Sequence, residues 1–148
     1  MPPFLTVIGE SAFSGCVSLH EVEIPSIVNS IGSKAFSHCI SLVTFTIASN
    51  KSFITNQNDH STSFSVGSRA FNCCGNLENV SILPLINSIE SRALNFCTSL
   101  VNIDVPSSLK SIGNYAFYEC TSLMQIKIPF MTSIGDYAFP FFTNKIRI

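Results

Sequence analysis

Apolar positions in this chain recur on two interleaved rhythms. The first is a six-residue block, I-G-x-x-A-F or a close variant, beginning at Ile8, Ile31, Val66, Ile89, Ile112 and Ile134. Successive copies are 23, 35, 23, 23 and 22 residues apart, the long step being one period plus a 12-residue insertion. The second is an L-x-x-φ-x-φ run (φ apolar) opened by Leu19, Leu42, Leu77, Leu100 and Leu123. A fixed period of this length marks a solenoid, in which each unit buries its apolar side only against its neighbours.

The two rhythms predict different elements. The φ-x-φ pairs alternate with period two and are rich in β-branched residues, which predicts short strands with one buried side near residues 21–24, 44–47, 79–82, 102–105 and 125–128. Proline follows at Pro25, Pro106 and Pro129, and one place late at Pro84, where its missing N–H ends ladder pairing. In the block, Ala is followed by Phe (Leu94 once) and then by Cys16, Cys39, Cys74, Cys97 or Cys120, with Phe142 in the last unit. Positions i, i+1 and i+4 share one face of a helix, so a short helix is expected there. Its N-cap would be Ser33, Ser68, Ser91, Asn114 or Asp136, while Glu10 stands at that place in the first unit. Gly9, Gly32, Gly67, Gly113 and Gly135 precede the block's turn, with Glu90 in the fourth unit, so φ there is expected to stay negative.

The fold these elements predict is an α/β repeat solenoid: one domain over 1–148, about six repeats of 22–23 residues, and an insertion near 49–60. Parallel strands would line a concave face and short helices a convex one. The run from Ile103 to Phe139, IDVPSSLKSIGNYAFYECTSLMQIKIPFMTSIGDYAF, closely resembles the BspA-like leucine-rich repeats. That resemblance, of surface-antigen type, extends over nearly the whole chain outside the insertion. It implies a protein-binding module engaged in cell-surface adhesion or host interaction, and it carries no catalytic or cofactor residue with it.

Composition narrows the classes further. Charged residues are 11% of the chain against a usual quarter, and the polar surface falls to 23 Ser, 12 Asn and 9 Thr. A net charge of −1 lacks the electrostatic footprint of nucleic-acid binding. No apolar run is long enough to span a bilayer, so membrane insertion is not expected. The opening MPPFLTVIGE has neither a basic nor a hydrophobic signal region. That favours an alternative reading, an intracellular scaffold binding a partner protein. Neither end reads as a polar cap, so a segment of a longer array is expected, with self-association through the uncapped ends.

Five of the six cysteines share one repeat position, with no C-x-x-C pair, which reads as a buried apolar ladder rather than zinc or disulfide chemistry. His20, His38 and His60 assemble with no nucleophile, so no enzyme, metal or cofactor is expected. The candidate protein-binding residues are the outward strand positions Glu21, Glu23, Thr44, Thr46, Asn79, Ser81, Asn102, Asp104, Gln125 and Lys127. Lys145 and Arg147 are expected to continue that row, which grades from acidic to basic along the solenoid. The same alternation is what any half-buried sheet shows. The partner would be an extracellular-matrix or host protein, or an intracellular one. The insertion, with Phe53 and Ile54, is a second candidate surface, since solenoid insertions become loops. Asn50 and Asn79 fit glycosylation acceptors if the chain is secreted.

Overall fold

In a computed structural model, residues 4–48, 64–81 and 86–148 are described. Each turn of the chain contributes two strands to a parallel β-solenoid of about five turns. The Leu-initiated runs form β2 (Glu21–Ile24), β4 (Thr44–Ile47), β6 (Asn79–Val80), β8 (Asn102–Ile103) and β10 (Gln125–Ile128). These lie where the alternation predicts strands. The sheet order is β2-β4-β6-β8, while β10 pairs with β12 (Asn144–Arg147) and lies beside β8.

The second set of strands is read from the block itself. The residues ending in its initial Ile or Val form β1 (Val7–Ile8), β3 (Ser30–Ile31), β5 (Phe64–Val66), β7 (Ile86–Ile89), β9 (Ser111–Ile112) and β11 (Ser133–Ile134). They make one six-stranded parallel sheet. Its register places Ile8, Ile31, Val66, Ile89, Ile112 and Ile134 directly beside one another. These short stretches carry no period-two run of their own and lie outside the strands that the alternation predicts. A β-branched residue once per coil is enough, because the partner strand lies in the next coil rather than nearby in sequence.

Among the described residues there is no helix, which corrects the expectation of short helices on the outer face. The Ala–Phe–Cys segments are chains of tight turns. The cause lies in the backbone: the residue before each Ala (Ser11, Lys34, Arg69, Arg92, Tyr115, Tyr137) has φ between 53° and 59°. The residue four later (His38, Cys73, Phe96, Glu119) has φ of 60° or 61°, and Gly15 has 73°. A left-handed residue at every fourth position cannot continue a right-handed helix. Alternate amides then go to different places. In the second coil the N–H groups of Ala35, Ser37 and Cys39 donate three residues back, while those of Lys34, Phe36 and His38 donate to Ser68, Ala70 and Asn72 of the next coil at 2.8–3.0 Å. The expected N-cap residues also tie coil to coil: Ser68 Oγ donates to Ser91 O at 2.8 Å and Ser91 Oγ to Asn114 O at 2.9 Å.

The core is stacked in ladders. Phe13 lies on Phe36 at 5.1 Å and Phe36 on Phe71 at 5.4 Å, with Phe45 edge-on to both later rings. Phe117 stacks on Phe139 at 5.0 Å. Burying such a ring contributes about 1.5–3 kcal/mol. Ala35, Ala70, Ala93 and Ala116 are wholly buried and Ala138 nearly so, whereas Ala12, in the first coil, is exposed.

The glycines before the block are explained by close approach. A Cβ on Gly32, Gly67 or Gly113 would lie 2.6 Å from a backbone nitrogen of the preceding coil. None of the three has positive φ. The coil carrying Glu90 at that place is the one whose strand, β7, runs out of register with β5 between Phe64 and Val66.

Candidate functional site

Register now fixes the outward row on the sheet of Leu-initiated strands. Glu21, Thr44, Asn79 and Asn102 are successive neighbours across four strands, and Glu23 pairs with Thr46. Glu21, Glu23, Asn79, Ser81, Asn102, Asp104, Gln125 and Lys127 are exposed, while Thr44 and Thr46 are half-buried. Between them Val22, Phe45, Val80 and Ile126 point into the core. The arrangement is a flat row of donors and acceptors, with no convergent cluster that could do chemistry. No group of three or more metal-binding side chains occurs among the described residues.

At the expected continuation of the row, register sets Lys145 out of line with Gln125 and Lys127. Asn144 N donates to Met124 O at 2.8 Å, which sets Asn144 opposite Gln125 and Ile146 opposite Lys127. Lys145 therefore falls in register with the core residue Ile126, and its ammonium sits 5.7 Å from the centre of the Phe139 ring. The insertion near 49–60, with His60 and Asn50, lies outside the described residues.

The cysteine ladder has a chemistry that spacing alone did not show. Cys39, Cys74, Cys97 and Cys120 are wholly buried, and all six cysteines are free. Each buried thiol donates to the carbonyl of the aromatic or Leu position one coil back: Phe13, Phe36, Phe71 and Leu94, at 3.0–3.2 Å. Burial pushes the thiols of Cys74 and Cys120 up to about 12, and Cys97 well above its ordinary value. They are protonated donors at neutral pH and poor nucleophiles.

Sequence reasoning missed a second feature, on the turn face. The left-handed position before Ala carries Lys34, Arg69 and Arg92 in three successive coils, then Tyr115 and Tyr137. Beside this row runs a groove of about 500 Å³ floored by Ser37, Asn72 and Asn95. Writing the repeats one above another would have shown the row, had the block not been read as a helix whose exposed side chains point apart.

Comparison with known proteins decides the family. The profile of the BspA type leucine rich repeat region matches in 6 copies, over residues 1–64 and 50–148. The chain belongs to the BspA-type leucine-rich repeat family. Among solved structures, a leucine-rich repeat protein from Eubacterium ventriosum is 30% identical with a TM-score of 0.76, over 91% of this chain and 34% of that one. A leucine rich cell surface protein from Faecalibacterium prausnitzii is 28% identical with a TM-score of 0.68, covering 91% and 40% of the two chains. A leucine-rich repeat protein from Bacteroides ovatus is 26% identical with a TM-score of 0.71, covering 100% of this chain and 41% of that one. The chain thus spans well under half the length of these relatives. No curated protein sequence matches it. Leucine-rich repeats of this kind typically bind proteins and are generally non-enzymatic.

Proposed function

We propose that this BspA-type solenoid is a non-enzymatic module whose outward sheet row meets a protein partner. One observation carries the reading: the parallel register holds Glu21, Thr44, Asn79 and Asn102 in line across four coils. A partner could engage several coils at once while the fold underneath is untouched. Similarity to a cell surface protein supports an adhesive or host-directed role with an extracellular-matrix or host protein as partner. A second reading, an intracellular scaffold, is favoured by the six free thiols, since disulfides are scarce in reducing compartments.

The test is a quadruple variant, Thr44→Ala, Asn79→Ala, Asn102→Ala and Gln125→Ala, compared with a deletion of 49–60. Each is assayed against arrays of matrix and cytosolic proteins. The quadruple variant should fold and lose binding, with weak dependence on salt because its central residues are neutral. Normal binding by the quadruple variant together with loss on deleting the loop would move the site to the insertion. Cell fractionation separates the two compartments.

A further inference from the structure

The turn face brings three features together that the sheet face lacks. The first is a cationic row. Lys34, Arg69 and Arg92 each stand on a left-handed residue whose amide donates to the next coil, at Ser68 O, Ser91 O and Asn114 O. The bases of the three side chains are therefore fixed one coil apart, about 4.8 Å. The chain has only 8 Lys and Arg, and three of them are aligned here. Among the described residues no carboxylate pairs with any of the three. Like charges held at this spacing repel one another, and an anion lying along the row would relieve that repulsion.

The second feature is the floor. Asn95 Nδ2 donates to Asn72 Oδ1 at 3.1 Å, but Asn95 Oδ1 has no partner although the residue is only 8% exposed. A buried acceptor without a donor costs stability until something supplies one. The third is an aromatic shelf. Phe96 is 44% exposed at the groove's edge and edge-on to Tyr118 at 6.0 Å. The Arg92 guanidinium lies 5.1 Å over Tyr115, which packs in turn against Tyr118 and Tyr137. Beyond Phe96 its row continues to Glu119, a carboxylate that bounds the site for an anion.

We propose that this groove binds an acidic oligosaccharide, its carboxylate or sulfate groups on Lys34, Arg69 and Arg92 and its ring faces on Phe96 and the tyrosine shelf. The Asn72–Asn95 amide pair gives the floor polar groups for sugar hydroxyls. The coil spacing suits anionic groups repeated along a chain of sugar rings. Nucleic acid fits poorly, since a molecule of net charge −1 offers three aligned cations and no wider basic surface. A phosphorylated peptide would use the cations but leave the aromatic shelf idle. The site stands independently of the sheet row.

The experiment titrates the full chain by calorimetry with a heparin-derived hexasaccharide, a hexagalacturonate carrying carboxylates only, neutral cellohexaose and a triply phosphorylated peptide. Binding to one or both acidic sugars is expected, weakening steeply with added salt, with none to cellohexaose. Arg69→Gln with Arg92→Gln should lower the affinity about tenfold to a hundredfold, and Phe96→Ala should lower it at any salt concentration. Should the double arginine variant lose its fold, Lys34→Gln, on an exposed side chain, gives the same reading. The quadruple sheet variant should bind the sugar normally. No binding to either acidic sugar, unchanged affinity in the arginine variants, or tighter binding of the phosphopeptide would each overturn the proposal.

Discussion

Among the described residues, ten other than glycine hold φ near +60°, and this conformation decides what the outer face of the solenoid can be. A left-handed residue costs roughly 1–2 kcal/mol for an L-amino acid. Here that cost is offset by sending alternate amides to the next coil. A β-branched side chain tolerates the conformation worst. Tyr115→Val should therefore destabilise the protein by about 1–2 kcal/mol in urea denaturation, although Tyr115 is only half-buried. The cysteines offer a second check at this scale. Iodoacetamide should label Cys16 and Cys73 in the native protein and all six thiols once unfolded. Because the thiols of Cys74 and Cys120 are raised from 9.0 to about 12, the folded state holds their protons more tightly than the unfolded state. Their contribution is complete below about pH 9 and is lost progressively as pH rises toward 12. Denaturation midpoints should fall across that window, and Cys74→Ala with Cys120→Ala should flatten the fall.

At the scale of elements, the strands of the Leu-initiated runs were readable because a period of two has a single structural meaning. The block was not, because Ala, Phe and Cys at i, i+1 and i+4 are equally compatible with a helix and with two linked tight turns. What separates the two is the destination of the Lys34, Phe36 and His38 amides, and those bonds run to residues 34 positions away. No local pattern reports a partner at that distance. Glycine spacing was visible, but its reason was close approach rather than turn conformation. Gly113→Ala should accordingly cost about 1–3 kcal/mol, its Cβ meeting Ser91 N at 2.6 Å. Gly9→Ala, with nothing within 4 Å, should be nearly neutral. Ala116→Leu, at a wholly buried position, should likewise overpack by about 1–3 kcal/mol. Equal effects of the two glycine changes in thermal unfolding would refute the close-approach account.

For the whole molecule, the repeat makes the outward sheet row legible, since polar positions at fixed spacing must align once the strands are parallel. The turn-face row of Lys34, Arg69 and Arg92 obeys the same rule, but only after the block is known to be turns. Both rows are products of stacking, and stacking makes stability quasi-one-dimensional: each coil depends on its neighbours. The turn amides test this directly. Ser11, Phe13 and Gly15 donate to the second coil at 2.9, 2.7 and 2.8 Å, and Arg69, Phe71 and Cys73 donate to the fourth at 3.1, 2.8 and 2.9 Å. By bond geometry the two sets are equivalent. By packing they are not: Ala12 and Cys16 are exposed and Phe13 half-buried, whereas Ala70, Phe71 and Cys74 are wholly buried between coils. If neighbour packing rather than the hydrogen bond sets local stability, native-state hydrogen exchange should be at least tenfold slower in the inner set, the ratio given by about 1.4 kcal/mol of extra opening free energy. Equal rates would mean that each coil's turns hold themselves closed, and that the cationic row would keep its alignment even where the coils around it fray.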